Sequence, residues 1–578
     1  MKKILAAALG ECIHIMGLNN FLELAGTLGF STYLLGATIP VDELIRALKA
    51  ENPDLAAISY RLEPQKAEAL LKELETRIEA ENLGHITYVF GGTKETGEVA
   101  RRFKFIRQVF DESRTPQEVF DFLNSLVFEA KNYPDNLIER MRSSFPYPLI
   151  RHHFGAPDLE ATVGGIKVLA ESGAIDVISL TMDRNAEEFF FTPELMSEDN
   201  TGRQGTGYRK REDLERVYQN SRTGNHPLLR IYCGTRNLLS WAHLQQETIK
   251  NCWGAIPIFW YNRLDGRSER GLAEAIRENL AAIRWYGEKK LPLEVNDAYH
   301  WALKQAPDAV TVAAAYLGAY NAKKAGIHHY LVTCMFNSGR ENTPQMDLAK
   351  MLAQLELITE LHDRNFTSFR QVSSGMKFFN PDIEIARGQL AAFIANALHL
   401  KPAILHLTGS REAHLEANPQ EIIRNGKIAR GVVEYFLKGQ PMVSQDLLVM
   451  KRKDQLVKEA RQIIEAIRQL SMAADPLTDP ETLAQAVKLG ILDAPELEGQ
   501  PEAAGVIQTR HLHGACFTVD AKGEVIPEAK RLEIIAAKNL GTRVMSLMAQ
   551  YLGKNEEKAP EPPLIDGKSP APTDPEEN

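Results

Sequence analysis

The chain has 578 residues, 44% hydrophobic and 25% charged, which is the balance of a soluble globular enzyme and too long for a single core, so two or three domains are expected. A net charge of -9 with no long Lys/Arg tract argues against a nucleic-acid partner, and no apolar stretch approaches the roughly 18 residues of a membrane span. Five scattered cysteines, at 12, 233, 252, 334 and 516, lack paired spacing and point to free thiols in a reducing cytoplasm.

The start, "MKKILAAALGECIHIMG", has the lysines and apolar run of a signal peptide, but Glu11 and His14 interrupt it and a strand fits better. Strands are expected at Lys3–Leu9, Ser31–Leu35, Leu55–Tyr60, Ile86–Phe90 and Phe105–Val109, with helices at about 17–28, 41–51, 64–82, 94–102 and 116–130. Five such βα units make a doubly wound, flavodoxin-like parallel sheet over residues 1–132, whose ligands bind beyond the carboxyl ends of the strands. A proline-rich connector is expected over 133–165.

From Ile175 the alternation resumes. Apolar runs at Ile175–Thr181, Leu228–Cys233, Ala255–Trp260, Leu291–Val295, Ala309–Ala313, Tyr330–Met335, Ser368–Val372 and Ala403–Leu407 supply eight strands, with helical segments such as 346–362 between them. That pattern predicts a (β/α)8 TIM barrel over 166–440. A helical extension follows over 441–552, irregular at 493–528, and the Pro- and Glu-rich tail at 553–578 is expected to be disordered. "GRQGTGYRKRED" (202–213) follows no clear strand, so it reads as a mobile loop rather than a phosphate cradle. "RHLHGAC" (510–516) lacks the partners of a zinc site and reads as a structural loop.

The turn "GECIHIMGLNN" (10–20) sets Cys12, His14 and Gly17 at C-x-H-x-x-G spacing after the first strand. His14 there is either a satisfied structural histidine or a metal ligand. Forty-one residues separate Gly17 from "SYRL" (Ser59–Leu62), and twenty-eight separate Leu62 from Gly91–Gly92. These landmarks resemble the cobalamin-binding domain of mutases and of methionine synthase, whose fingerprint is D-x-H-x-x-G, then S-x-L, then G-G. The resemblance covers residues 3–130. It implies a cobalamin cofactor, with His14 as the lower ligand of cobalt. It also implies a nucleotide tail lodged beside Ser59, Leu62, Gly91 and Gly92. Glycine there lets backbone pass close to the tail. Cys12 stands where the family has an aspartate, a carboxylate that would fix the histidine's tautomer and raise its basicity. A thiol is a weaker partner, so weaker ligation is expected.

Barrel chemistry comes from the carboxyl ends of the strands. Those ends here carry Asp183–Asn185, Arg230, Arg236, Tyr261–Arg263, Glu294, Asn296, Asp297, Met335–Asn337, Gln371 and Thr408–Arg411. Arginines fork onto carboxylates, so a dicarboxylate or amino-acid substrate is expected. "PLLRIYCGTRN" is similar to the arginine-bearing segment of the glutamate mutase large subunit, which implies that Arg230 binds a substrate carboxylate. Glu294 and Arg230 are the candidate catalytic residues, and Arg236, Asn262, Asn296 and Asn337 are candidate substrate contacts. The resemblance implies adenosylcobalamin and radical chemistry in a carbon-skeleton mutase. A methylcobalamin-dependent corrinoid methyltransferase and a non-enzymatic cobalamin sensor stay open as alternatives. The expected setting is cytoplasmic, with a small-molecule substrate, no membrane or nucleic-acid partner, and a homodimeric assembly.

Overall fold

The computed structural model describes residues 2–130, 133–201, 205–337, 341–374, 379–408, 418–439 and 446–539. Contacts divide the chain into two compact units, Met1–Asn132 and Tyr133–Asn578. Among the described residues no helix is long and apolar enough to cross a membrane.

The first unit runs β1 (Lys3–Leu9), α1 (Met16–Thr27), β2 (Ser31–Ile39), α2 (Val41–Glu51), β3 (Leu55–Tyr60), α3 (Pro64–Ala80), β4 (Thr87–Gly92), α4 (Lys94–Ala100), β5 (Ile106–Phe110) and α5 (Pro116–Ala130). Its sheet is parallel throughout, in the order β2-β1-β3-β4-β5. Helices cover both faces of such a sheet, so β3 is buried along its whole length and reads as an unbroken apolar run. In α2 the buried Val41, Leu44, Ile45 and Leu48 form one stripe, acids sit in the first turn, and Asn52 ends the helix in the left-handed conformation. The order reverses between β1 and β3, which makes their carboxyl ends the crevice where such sheets take ligands. Both glycines of the G-G pair belong to β4 itself, where Gly91 faces Ser59 and Gly92 faces Tyr60 in register.

The second unit opens with α6 (Leu137–Ser144), β6 (Leu149–Phe154), α7 (Leu159–Ser172), β7 (Val177–Leu180), α8 (Arg184–Phe189), α9 (Arg211–Asn220), β8 (Leu228–Ile231), α10 (Leu238–Thr248), β9 (Gly254–Ala255) and α11 (Leu272–Glu288). It continues with β10 (Leu293–Glu294), α12 (Asp297–Leu303), α13 (Asp308–Lys324), β11 (His329–Phe336), α14 (Pro344–Thr359), β12 (Thr367–Ser374), α15 (Ile383–Leu398), β13 (Ile404–Leu407) and α16 (Pro419–Leu437). Eight parallel strands in the order β8-β7-β6-β13-β12-β11-β10-β9 form a nearly closed barrel. The seam between β8 and β9 lacks a ladder, but the Cys252 N–H donates to Leu229 O and the Ile231 N–H to Asn251 Oδ1, each at 3.0 Å. After the barrel come α17 (Leu447–Arg468), α18 (Pro480–Lys488), an antiparallel hairpin of β14 (Gln508–Leu512) and β15 (Ala515–Val519), and α19 (Glu528–Asn539).

Several expectations change. Ala309–Ala313 is helical, inside α13: Pro307 caps a run of alanines, which have the highest helix propensity, and burial nearly all round hides the helical period. The missing strand is β6, within the segment read as a connector. Of the run at Ala255–Trp260 only Ala255 stays in a strand, because Asp297 accepts the Ile258 and Phe259 N–H groups at 2.6 and 3.0 Å and bends the chain into a buried loop. "RHLHGAC" spans the β14–β15 hairpin, turning at His513 and Gly514 with positive φ. In the glycine-rich stretch, Thr206 pairs with Met182 beside β7 and Arg209 forks onto the buried Asp183, so residues 205–209 are pinned; residues 202–204 lie outside the described residues. The expected site residues at 409–411 and the expected disordered tail also lie outside them.

Candidate functional site

At the carboxyl ends of β1, β3, β4 and β5 the first unit encloses a cavity of about 470 Å3. His14, Gly17, Ser59, Gly91 and Gly92 all line it. Ser59 is 5% exposed, and its hydroxyl oxygen is buried with no hydrogen-bond partner. Such a group is costly unless something supplies the missing bond. The glycines do different work. A Cβ on Gly91 would meet nothing closer than Ser59 Cβ at 3.8 Å, so Gly91 only keeps the cavity open. A Cβ on Gly92 would overlap Thr96 Oγ1 and the Phe90 ring, so Gly92 is needed for α4 to pack on the sheet. Gly17 faces open space.

Leu62 is 37% exposed and does not line the cavity; Arg61 takes that place, paired with Glu112 at 2.9 Å. Both residues lie just past the end of β3 at Tyr60, in the turn to α3, and that turn directs Arg61 rather than Leu62 at the cavity. Asp111, unrecognised from sequence, is a further wall residue, held by Arg101 and Ser113. Cys12 is fully buried, with Sγ 3.7 Å from Nδ1 of the exposed His14.

The second cluster fills the barrel. Its floor is apolar, built from Leu149, Val177, Leu228, Leu331 and Ile404 over Leu137 and Met141 of α6. Two residues further along the strands the side chains turn polar. Glu294 Oε2 accepts from Trp253 Nε1 at 2.8 Å, Gln371 Nε2 at 3.2 Å and Arg230 Nη2 at 3.4 Å, with Arg151 Nη1 at 3.6 Å. Arg151 also donates to Gln371 Oε1 at 2.6 Å and Ser179 Oγ at 2.7 Å. Both arginines are essentially buried, against this one carboxylate. Burial pushes the Glu294 carboxyl up, but Arg230 and then Arg151 outweigh it and hold it below the usual range. Burial and the neighbouring Arg230 bring Arg151 down to about 10, which leaves it charged at neutral pH. Arg151 Nη2 and Arg230 Nε and Nη1 are buried with no hydrogen-bond partner. Above them His153 lies 4.8 Å from His406 and stacks on Tyr232, which also faces Arg230 at 4.1 Å. Burial, then the nearby arginines, keep both histidines neutral.

Of the residues expected at strand ends, Arg230 and Glu294 therefore meet. Gln371, also expected at a strand end, joins them on Glu294. The candidate substrate contacts Arg236, Asn262, Asn296 and Asn337 make no contact with Glu294 among the described residues. Arg236 pairs with Glu188 at 3.2 Å, and Asn262 braces its own loop through Phe259 O and the Leu264 N–H. Asn337 has positive φ and its N–H donates to Asp347 at 2.6 Å, while Asn296 Oδ1 is buried without a partner. Arg151 escaped notice because β6, "LIRHHF", carries charge toward a polar interior and so lacks a strand's apolar signature. No cluster of three or more His, Cys, Asp or Glu side chains suited to a metal occurs among the described residues.

No protein-family model matches the chain, and no curated protein does. Among solved structures it is similar to a cobalamin-binding protein from Desulfitobacterium hafniense, at 26% identity over 19% of this chain and 52% of that one, with a TM-score of 0.17. The chain thus matches about half the length of that protein. It is also similar to tryptophan synthase from Mycobacterium tuberculosis, at 12% identity over 52% of this chain and 96% of that one, TM-score 0.29. A third similarity is to the cobalamin-dependent S-adenosylmethionine radical enzyme OxsB, at 10% identity over 80% and 61% of the two chains, TM-score 0.17. These TM-scores are weak resemblances that identify no specific function.

Proposed function

We propose that the chain is a cobalamin-dependent enzyme, with cobalamin held by the first unit and an amino-acid or dicarboxylate substrate held in the barrel of the second. The observation that carries the reading is the unpartnered, buried Ser59 hydroxyl in a cavity whose other walls are His14 and Gly91, the residues the cobalamin fingerprint names. These residues fit the group: Ser59 offers a hydrogen bond to the nucleotide tail, Gly91 leaves room for it, and His14 presents an imidazole at the mouth. When bound as adenosylcobalamin, the cofactor supplies radical chemistry through its cobalt–carbon bond.

The barrel's part is binding and orientation. Two buried guanidinium groups share one carboxylate and keep three N–H-bearing atoms unpaired, which suits a second carboxylate arriving with the substrate. Glu294 aligns both arginines, and the neutral His153 and His406 add polar contact without adding charge. A skeleton rearrangement catalysed by a mutase is the favoured reaction. A corrinoid methyltransferase gains support from Cys12 alone, because a thiol holds the lower ligand less firmly than a carboxylate.

Titrating the purified chain with adenosylcobalamin and methylcobalamin tests the first step. Both should bind, and Gly91→Leu should weaken binding by about 10- to 100-fold, since overfilling a site typically costs 1–3 kcal/mol. Undiminished affinity in that variant would remove the cavity from the mechanism. Anaerobic incubation of the loaded protein with amino acids and dicarboxylates then separates the reactions: turnover with adenosylcobalamin supports the mutase, and turnover with methylcobalamin alone supports methyl transfer.

A further inference from the structure

The charges at the centre of the barrel do not cancel. Arg151 and Arg230 bring two positive charges and Glu294 brings one negative charge. Trp253, Gln371 and Ser179, which complete the cluster, are uncharged. His153 and His406 add nothing to the sum, since burial first and Arg151 next keep both imidazoles neutral. One positive charge is therefore left over among groups that water scarcely reaches. Arg151 Nη2 and Arg230 Nε and Nη1 are the buried donors that have no partner. One carboxylate supplies two oxygens for those donors and one negative charge for the surplus. A second carboxylate on the same molecule would need a cation of its own. Each described arginine in the connections after β7, β8 and β9 already has an acid, as Arg236 has Glu188 at 3.2 Å and Arg267 has Asp265 at 3.4 Å.

Uncharged polar groups continue from this cluster. Tyr232 covers Arg230 at 4.1 Å and stacks on His153. Asn296 lies two residues past Glu294, and its Oδ1 is buried without a partner. Trp260 and Tyr261, from the loop after β9, each lie 5.5 Å from His300 of α12. Trp260 Nε1 and His300 Nε2 are buried without partners too, and burial keeps the His300 ring neutral. A carbonyl, hydroxyl or amide can supply the bonds these groups lack, whereas a carboxylate set among them would be a buried charge without a counter-charge. We propose, on the reading that this barrel is the substrate site, that its substrate has a single carboxylate, held by Arg151 and Arg230, and no second negative charge. That narrows the class to amino acids with uncharged side chains and simple monocarboxylic acids, and sets dicarboxylates aside.

Pairs of compounds that differ only by acid against amide isolate the second charge: succinate and succinamate, glutarate and glutaramate, glutamate and glutamine. Isothermal titration calorimetry of the full-length protein, first alone and then saturated with cobalamin, gives the dissociation constants. In each pair that binds, the amide should bind about 30-fold or more tighter than the acid, the scale of burying one charge without a partner. An acid that binds as tightly as its amide overturns the proposal while leaving the barrel as a carboxylate site. Binding by none of these compounds defeats the reading of the barrel as that site, and the proposal with it. Glu294→Gln raises the surplus to two positive charges, so the preference should reverse toward the acids, and an unchanged ratio overturns the proposal. If that variant does not fold, Arg151→Met decides: with the surplus gone, amide binding should fall about 10-fold or more, and undiminished binding overturns the proposal.

Discussion

Glu294 shows what one side chain decides. It accepts from Trp253 and Gln371 while balancing two buried arginines, so the cluster carries one more positive charge than negative. Losing either arginine leaves the acid still paired, whereas losing the acid leaves two buried cations unpaired. Breaking a buried pair in that way typically costs about 3–5 kcal/mol. Glu294→Gln should therefore lower stability in denaturant titrations far more than Arg230→Met does, while Arg230→Met should abolish carboxylate-substrate binding and spare cobalamin binding. Equal losses of stability would contradict the excess-charge reading. The pH dependence has a fixed sign. Burial raises the Glu294 pKa but Arg230 and Arg151 bring it below 4.5 in the folded state, so its contribution is complete above that value and is lost as pH falls through the folded value. Thermal melts of the wild type should fall in that acid window, and Glu294→Gln should flatten the fall. Arg230 and Glu294 are legible because each is a lone charge within an otherwise apolar run. Arg151 is not, because β6, "LIRHHF", follows its arginine with two histidines and resembles a loop, and Trp253 is not, because an apolar residue outside a strand carries no sign that its indole N–H meets a carboxylate.

Between elements, the contacts that hold are those removed from water. Lys350 of α14 reaches Asp308 of α13 at 3.3 Å and Asp347 at 2.9 Å, and Arg452 of α17 reaches the same Asp308 at 3.2 Å. All four side chains are nearly inaccessible. The Asp308 carboxyl is pushed up by burial, but Lys350 and Arg452 hold it below its ordinary value. Arg461 of α17 pairs with Glu360 at the end of α14, where both side chains are about half exposed. The two pairs join overlapping helices, but solvent separates their worth. Lys350→Met should cost about 3–5 kcal/mol by leaving two buried acids to share one cation, Arg452, and Arg461→Met about 0–1 kcal/mol. Chemical denaturation of the two variants compares them directly, and similar losses would contradict the argument. The misread strand at Ala309–Ala313 belongs here too. An alanine- and valine-rich run buried on every side shows no period, so only the segment's neighbours, α14 and α17 with their cations, distinguish helix from strand.

At the scale of the whole chain, each unit has a core of its own. One is built on Ile4–Leu9, Leu55–Ile58 and Val89–Phe90, the other on the helices and strands of the barrel. Residues 1–132 are long enough to form an independent domain, so we expect that fragment to fold alone and to bind cobalamin as the full chain does, while residues 133–578 bind none. Circular dichroism melts and the cobalamin titration check both halves, and a fragment that folds but does not bind would show that the cavity needs more than its own sheet. The sequence by itself determined the alternation of strand and helix, the two-sheet α/β class, and the alignment of His14, Ser59 and Gly91 at strand ends. Those features follow from local periodicity and from turns that only certain residues tolerate. Tertiary structure alone decided that Arg61 and not Leu62 faces the cavity, that Gly92 serves packing, that Cys12 and not Glu11 meets His14, and that Arg151 joins Arg230 on Glu294. Each of these is a matter of which side of a strand or turn a side chain occupies and which distant residue it meets there, and residues 151, 230 and 294 are brought within ion-pair distance only when eight strands curve into a barrel.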